Sequence, residues 1–195
     1  MRRVAAALVL LLLALGASGC GGGSDDVVGP GTTAPGGETT VAGTDQLEGA
    51  STATVSAAAT SDETALLTDV RAAPHEGFDR VVLEFRNVVP GYEVGYVERP
   101  VLADGSGDEV TVDGGFVVQI RMEPALDADL GQETAPPTYT GPQRFSPGLP
   151  EVVELVRSGG FEGVLTWAVG LADRVDFRVT TLADPPRLVV DFRTR

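Results

Sequence analysis

The chain has 195 residues, 28 acidic side chains against 14 basic ones, and a formal net charge of −14 at pH 7. Every basic side chain is an arginine, and a surface so acidic repels nucleic acid and does not adhere to anionic lipid through charge. One cysteine and one histidine exclude an internal disulfide and a cysteine-based structural metal site, and leave His75 as the sole imidazole base for any nucleophile.

Residues 1–19 read as a lipoprotein signal peptide. Met1-Arg2-Arg3 is a basic head, and Val4 to Leu15 is an unbroken apolar run of twelve residues. As a helix that run extends about 18 Å, short of the roughly 30 Å hydrocarbon core, which suits a secretory signal and not a spanning helix. Gly16, Ala17, Ser18 and Gly19 lead directly to Cys20. This order of features resembles a bacterial lipobox, in which the cysteine takes a thioether-linked diacylglycerol and becomes the first mature residue. Ala17 stands where leucine is more usual. The resemblance implies lipidation of Cys20, palmitate among its acyl chains, and anchoring on the extracytoplasmic face of the cell membrane. Each buried methylene contributes about 0.8 kcal/mol, and two acyl chains suffice for stable attachment.

Residues 20–64 are expected to form a disordered, low-complexity tether. From Gly21 to Glu63 glycine, threonine, serine, alanine and seven acids dominate, with no aromatic residue. Such a composition cannot bury enough apolar surface to offset the entropy of ordering. Roughly forty residues of coil span about 35 Å, enough to hold a domain off a membrane.

The folded domain is expected over 65–195, without cysteine, so that a hydrophobic core alone must stabilise it. LLTDVRAA (66–73) alternates weakly as a strand, PHEGF (74–78) turns, and DRVVLEF (79–85) is a clear strand. Val81, Leu83 and Phe85 share one face of it; Arg80, Val82 and Glu84 share the other. After Pro90-Gly91, alternation resumes in YEVGYVE (92–98). ADGSGDE (103–109) is a turn-rich loop, VTV (110–112) a short strand, and Asp113-Gly114 a hairpin turn into FVVQIRM (116–122). Residues 123–150, rich in proline, predict a long irregular loop, a kind of segment that often carries function. EVVELVRSGGF (151–161) suits either a short helix or a strand. GVLTWAVGL (163–171), VDFRVTTL (175–182) and RLVVDF (187–192) read as strands. Eight or nine strands without a long helix predict an all-β domain, an antiparallel β-sandwich of two sheets packed face to face. RVVLEF (80–85) and RLVVDF (187–192) share Arg, apolar, Val, apolar, acid, Phe in register, as two equivalently placed core strands would.

VRAAPHEGFDRVVLEF followed by PGYEVGYV, then YTGPQRF, GGFEGVLTWAVGL, FRV and DPPRLVVDF, together resemble the AMIN-like domain of actinobacterial lipoproteins, over roughly 65–195. His75, Gly77, Phe78, Asp79 and Arg80 match its first signature. Trp167 and Gly170 match the middle one, and Pro186, Arg187, Leu188, Val190, Asp191 and Phe192 the last. The resemblance implies kinship with the AMIN modules of periplasmic amidases and secretins, small β-sandwiches with peptidoglycan-binding or localisation roles. It implies no catalytic residue. No amidase is joined to the domain in this sequence, so a targeting role for a covalently attached enzyme is not expected.

Single residues weigh as follows. His75, in a Pro-His-Glu-Gly turn, is either a pH-sensitive contact or a turn histidine bonded to backbone. Arg80 and Arg187 lie on strand faces where Glu84 and Asp191 recur, so cross-strand ion pairing competes with ligand binding. Trp167 shares its face with Leu165 and Val169, as a core anchor would; on an exposed face it would stack on a sugar. Tyr139, Arg144 and Phe145, in the long loop, would suit a glycan or an acidic peptide. The candidate binding residues are thus His75, Arg80, Tyr139, Arg144, Trp167 and Arg187, with Cys20 the lipidation site. No cofactor, metal or catalytic set is expected: there is no GxSxG, no marked carboxylate pair, and ADGSGDEVTVDGG lacks the alternating ligands of a calcium loop. The expected function is that of a non-enzymatic, lipid-anchored cell-envelope protein that binds peptidoglycan or another wall component. A protein-interaction or assembly module of the envelope is the alternative; a hydrolase would need a pocket of converging polar groups that the sequence does not mark.

Overall fold

The computed structural model describes residues 47–195, which lie within one compact unit, Gly43–Arg195. The signal peptide, Cys20 and the tether up to residue 46 fall outside the described residues. In chain order the strands are β1 (Val55–Ala57), β2 (Ala65–His75), β3 (Phe78–Phe85), β4 (Gly91–Val97), β5 (Val101–Leu102), β6 (Glu109–Val110), β7 (Phe116–Glu123), β8 (Ala125–Leu126), β9 (Arg144–Phe145), β10 (Val152–Phe161), β11 (Val164–Leu171), β12 (Phe177–Ala183) and β13 (Pro186–Arg193). They form a six-stranded sheet of order β1-β4-β7-β11-β10-β9, a five-stranded sheet of order β12-β13-β3-β2-β8, and the small β5-β6 pair.

The all-β expectation holds, but the sheets are mixed: β2 pairs with β8 in parallel, Ala65 opposite Ala125 and Leu66 opposite Leu126. The 151–161 segment is strand β10, and its Gly159-Gly160 pair continues the ladder past a register shift instead of ending it. Asp113-Gly114 is not a hairpin turn. β6 pairs back with β5, and Gly114 and Gly115 lie against the Leu171–Ala172 backbone beside β7. Order also begins before residue 65. Leu47 is 1 % exposed, Ser51 bridges Phe177, and β1 pairs with β4, so 47–64 belongs to the fold and not to a free tether.

One core joins the two large sheets. Val81, Leu83 and Phe85 of β3 and Leu188, Val190 and Phe192 of β13 meet Val118, Ile120 and Met122 of β7 and Leu165, Trp167 and Val169 of β11. The period-two spacing seen in the sequence delivers these side chains to one face, and each full burial contributes about 1.5–3 kcal/mol. Opposite that face, Val101, Val112, Val117, Val156 and Ala168 form a smaller cluster on the other side of β7, β10 and β11. Gly170 is needed there, because a methyl group at its Cα would overlap the carbonyl oxygen of Asp113.

A carboxylate also ties the sheets together. Asp79, fully buried at the start of β3, accepts the N–H groups of Glu151 at 2.7 Å and Val152 at 3.0 Å, at the entrance to β10. Glu151 is itself buried and accepts the N–H of Asp173 at 2.8 Å. Burial raises the Glu151 carboxyl above its ordinary value, the bond from Asp173 opposing and the charges of Asp173 and Asp79 adding to the rise.

Two predictions follow from these carboxylates. Asp79→Ala strands two buried N–H groups and is expected to cost about 3 kcal/mol or more, with Asp79→Asn milder because its amide oxygen still accepts; urea unfolding measures both. Glu151 binds protons more tightly folded than unfolded. Its contribution is therefore complete below the ordinary carboxylate value and lost as pH rises through the raised one. Unfolding curves from about pH 3 to pH 7 are expected to show Glu151→Gln gaining on the parent chain as pH rises.

Candidate functional site

The outer face of the five-stranded sheet carries Arg71, Arg80, Arg178 and Arg187 on four neighbouring strands. RVVLEF and RLVVDF are neighbours there, β3 beside β13, running antiparallel, so that each arginine lies opposite the other strand's acid: Arg80 faces Asp191 and Arg187 faces Glu84. Only one of these pairs closes. Arg80 grips the buried Asp191 through two bonds, Nε to Oδ1 at 2.6 Å and an Nη to Oδ2 at 2.9 Å. From β12, Arg178 adds a third bond to the same carboxylate at 3.0 Å. Bonding to Asp191 raises the Arg80 guanidinium above its ordinary value, against the pull of burial.

Glu84 is already engaged by Arg71 of β2 at 3.0 Å, and Arg71 also holds Asp69 at 2.7 Å. Burial lowers the Arg71 guanidinium, but bonds to Asp69 and Glu84 outweigh it and leave the group raised. Arg187 is consequently left over. It donates to the carbonyls of Pro185 at 3.1 Å and Asp184 at 3.2 Å, and no carboxylate pairs with it among the described residues.

His75 stands at the end of the same face. It is exposed, stacks on Phe78 with ring centroids 4.9 Å apart, and Arg80 covers Phe78 at 5.2 Å from the ring centroid. Gly77, at φ 81°, makes the turn that brings His75 and Phe78 opposite one another. Arg71, His75, Arg80 and Arg187 then rim a groove of about 240 Å³ floored by Val82 and Val189. An apolar floor ringed by guanidinium groups suits a ligand with an anionic group attached to an apolar or sugar body. A larger hollow of about 400 Å³ adjoins it at Leu182, but none of its lining residues is charged. A third hollow of about 300 Å³, on the other sheet, sets Arg121 between Glu93 and Glu123, so its one cation is matched by acids.

Three of the sequence candidates, His75, Arg80 and Arg187, come together here. The other three do not. Trp167 is fully buried, and Tyr139 meets it edge to face at 5.6 Å while donating its hydroxyl to the Pro142 carbonyl at 2.7 Å. Neither ring is placed to stack on a sugar. Arg144 binds the buried Glu154 at 2.7 Å and the Thr111 carbonyl at 2.7 Å. The 123–150 loop is thus sewn to the core by Tyr139, by Thr138 bonding the Leu67 carbonyl, and by the Asp127–Arg157 pair. Arg71 was missed in the sequence, since its weakly alternating strand gave no sign that it would lie beside Val82. Among the described residues no group of three or more His, Cys, Asp or Glu is placed to hold a metal ion.

The two arginines of the echoed strands are expected to behave differently. Arg80→Ala leaves Asp191 buried with Arg178 alone and should cost about 2 kcal/mol or more, whereas Arg187→Ala should stay within about 0.5 kcal/mol of the parent chain in urea unfolding.

No curated protein matches the chain. The family model for the AMIN-like domain matches residues 65–194, which spans β2 to β13 and takes in the groove and both echoed strands. The chain belongs to the AMIN-like domain family, whose domain is non-catalytic.

Proposed function

We propose that the protein is a lipid-anchored component of the cell envelope whose AMIN-like domain binds peptidoglycan or another anionic wall component through the Arg71–His75–Arg80–Arg187 groove. AMIN-like domains are associated with cell-wall components and extracytoplasmic settings, which supports the class of ligand. The anchor rests on the basic head, apolar run and small residues that lead to Cys20. On the same footing, the two large sheets are the leaves of a β-sandwich, a reading their shared core supports.

The observation that carries the reading is the unpaired Arg187 guanidinium. In a chain with twice as many acids as bases, a cation left without a carboxylate beside an apolar floor has capacity to spare for an anionic ligand. Sedimentation of residues 43–195 with insoluble peptidoglycan tests it. Retention is expected at low and moderate salt, with Arg187→Glu reducing it about tenfold and Arg121→Glu, on the other sheet, leaving it unchanged. A parent domain that stays in the supernatant at both salts sinks the wall-binding reading. Membrane fractionation of the full chain tests the anchor separately: Cys20→Ala should move the protein out of the membrane fraction.

A further inference from the structure

The edges of the two large sheets are closed in different ways. The six-stranded sheet ends on the three residues of β1 and the two of β9, and the five-stranded sheet ends at one side on the two residues of β8. Its other edge is β12, seven residues long. Long edges are normally guarded by charge, proline or a bulge, and Val179 to Ala183 carries none of these. Thr180, Thr181, Leu182 and Ala183 are exposed along it.

The open stretch has definite limits. Phe177 exchanges both main-chain bonds with Ser51, at 3.0 and 3.1 Å, on the side away from β13. By the alternation of an antiparallel ladder, the N–H and C=O groups of Val179, Thr181 and Ala183 point the same way, and no backbone group meets them among the described residues. Ser51 closes the edge before this stretch and the turn at Asp184-Pro185 closes it after. Thr181 is its midpoint.

We propose that β12 pairs with β12 of a second copy of this chain, antiparallel about a two-fold axis at Thr181, joining two five-stranded sheets into one. In that register Val179 lies opposite Ala183 of the second copy and Thr181 opposite its own counterpart, so every open main-chain group is used. Thr180 lies opposite Leu182, which covers an apolar side chain that is 39 % exposed in the single chain. Arg178 lies opposite Asp184, and the symmetry makes this contact twice. Both partners have capacity for it. The Asp184 carboxylate has no ion pair among the described residues. Arg178 holds Asp191 through one Nη, and its side chain is still about a third exposed. A shift of either strand by one ladder step would set Arg178 against Leu182 or Pro186 and lose both charge pairs. The inference is independent of what the arginine groove binds.

Disulfide capture tests the register. In the full chain carrying Cys20→Ala, Thr181→Cys is expected to give a disulfide-linked dimer on mild oxidation, since residues exchanging ladder bonds sit about 5.5 Å apart at Cα, within disulfide reach. Ser106→Cys, in an exposed loop elsewhere, serves as the background. Sedimentation equilibrium of the detergent-solubilised full chain measures association without oxidation. Thr181→Pro removes an outward N–H while leaving the β12–β13 ladder whole, and should weaken association about tenfold or more. Asp184→Arg should do the same by setting like charges together. A Thr181→Cys chain that crosslinks no faster than Ser106→Cys overturns the proposal. So does a parent chain that is monomeric at every concentration, or association that Thr181→Pro leaves untouched.

Discussion

The two sheets meet through a carboxylate as well as through a core. Asp79 occupies a core-facing position of β3 where the alternation calls for a hydrophobic residue, and it spends its charge on two main-chain N–H groups at the entrance of β10. A buried carboxylate is costly unless it is bonded, and here the bonding lies across the gap between sheets. The entrance of β10 in turn sets where Glu151 receives the Asp173 N–H and where Ala172 reaches the Glu151 carbonyl. Those contacts fix the end of β11 and the path into β12. Hydrophobic packing is tolerant of sliding; a carboxylate gripping two particular N–H groups is not, and the register of one sheet against the other is tied to that grip.

Each residue from Gly77 to Arg80 has a structural part to play. Gly77 makes the turn, Phe78 supports His75, Asp79 crosses between sheets, and Arg80 neutralises Asp191. At the other end of the chain Asp191 is held by two arginines and buried by Arg80, Arg178 and their neighbours. Gly77, Phe78, Asp79, Arg80 and Asp191 are therefore engaged in holding the fold. Arg187 is the exception. Its cross-strand acid is already occupied by Arg71, so the near-symmetry of β3 and β13 yields one closed pair and one open cation.

Much of this was legible in the sequence. Apolar and β-branched runs bounded by turn residues marked β3, β4, β7, β11, β12 and β13, with alternation plainest in β3 and β4, while β7 and β11 pack apolar side chains on both faces. The echo of RVVLEF and RLVVDF marked the two strands that turn out to be adjacent. What escaped was set by contacts distant in sequence. β1 and Leu47 lie in a stretch whose composition reads as coil, and a single buried leucine leaves no periodic signal. Asp113-Gly114 has the letters of a hairpin, yet its glycines serve close packing on Leu171 and Ala172. β10 was ambiguous because two register shifts break its alternation. Tyr139 and Arg144 looked available because their loop is rich in turn formers, and composition does not show that the loop is bonded down to Leu67, Glu154 and Arg157.

The basic side chains that rim the groove beside His75 are all guanidinium groups, since the chain contains no lysine. Guanidinium stays protonated far beyond the range in which an ammonium begins to fail. An ammonium rim would fade in an alkaline medium and would be open to acetylation. The guanidinium groups of Arg71, Arg80 and Arg187 thus keep their charge however alkaline the surrounding medium becomes.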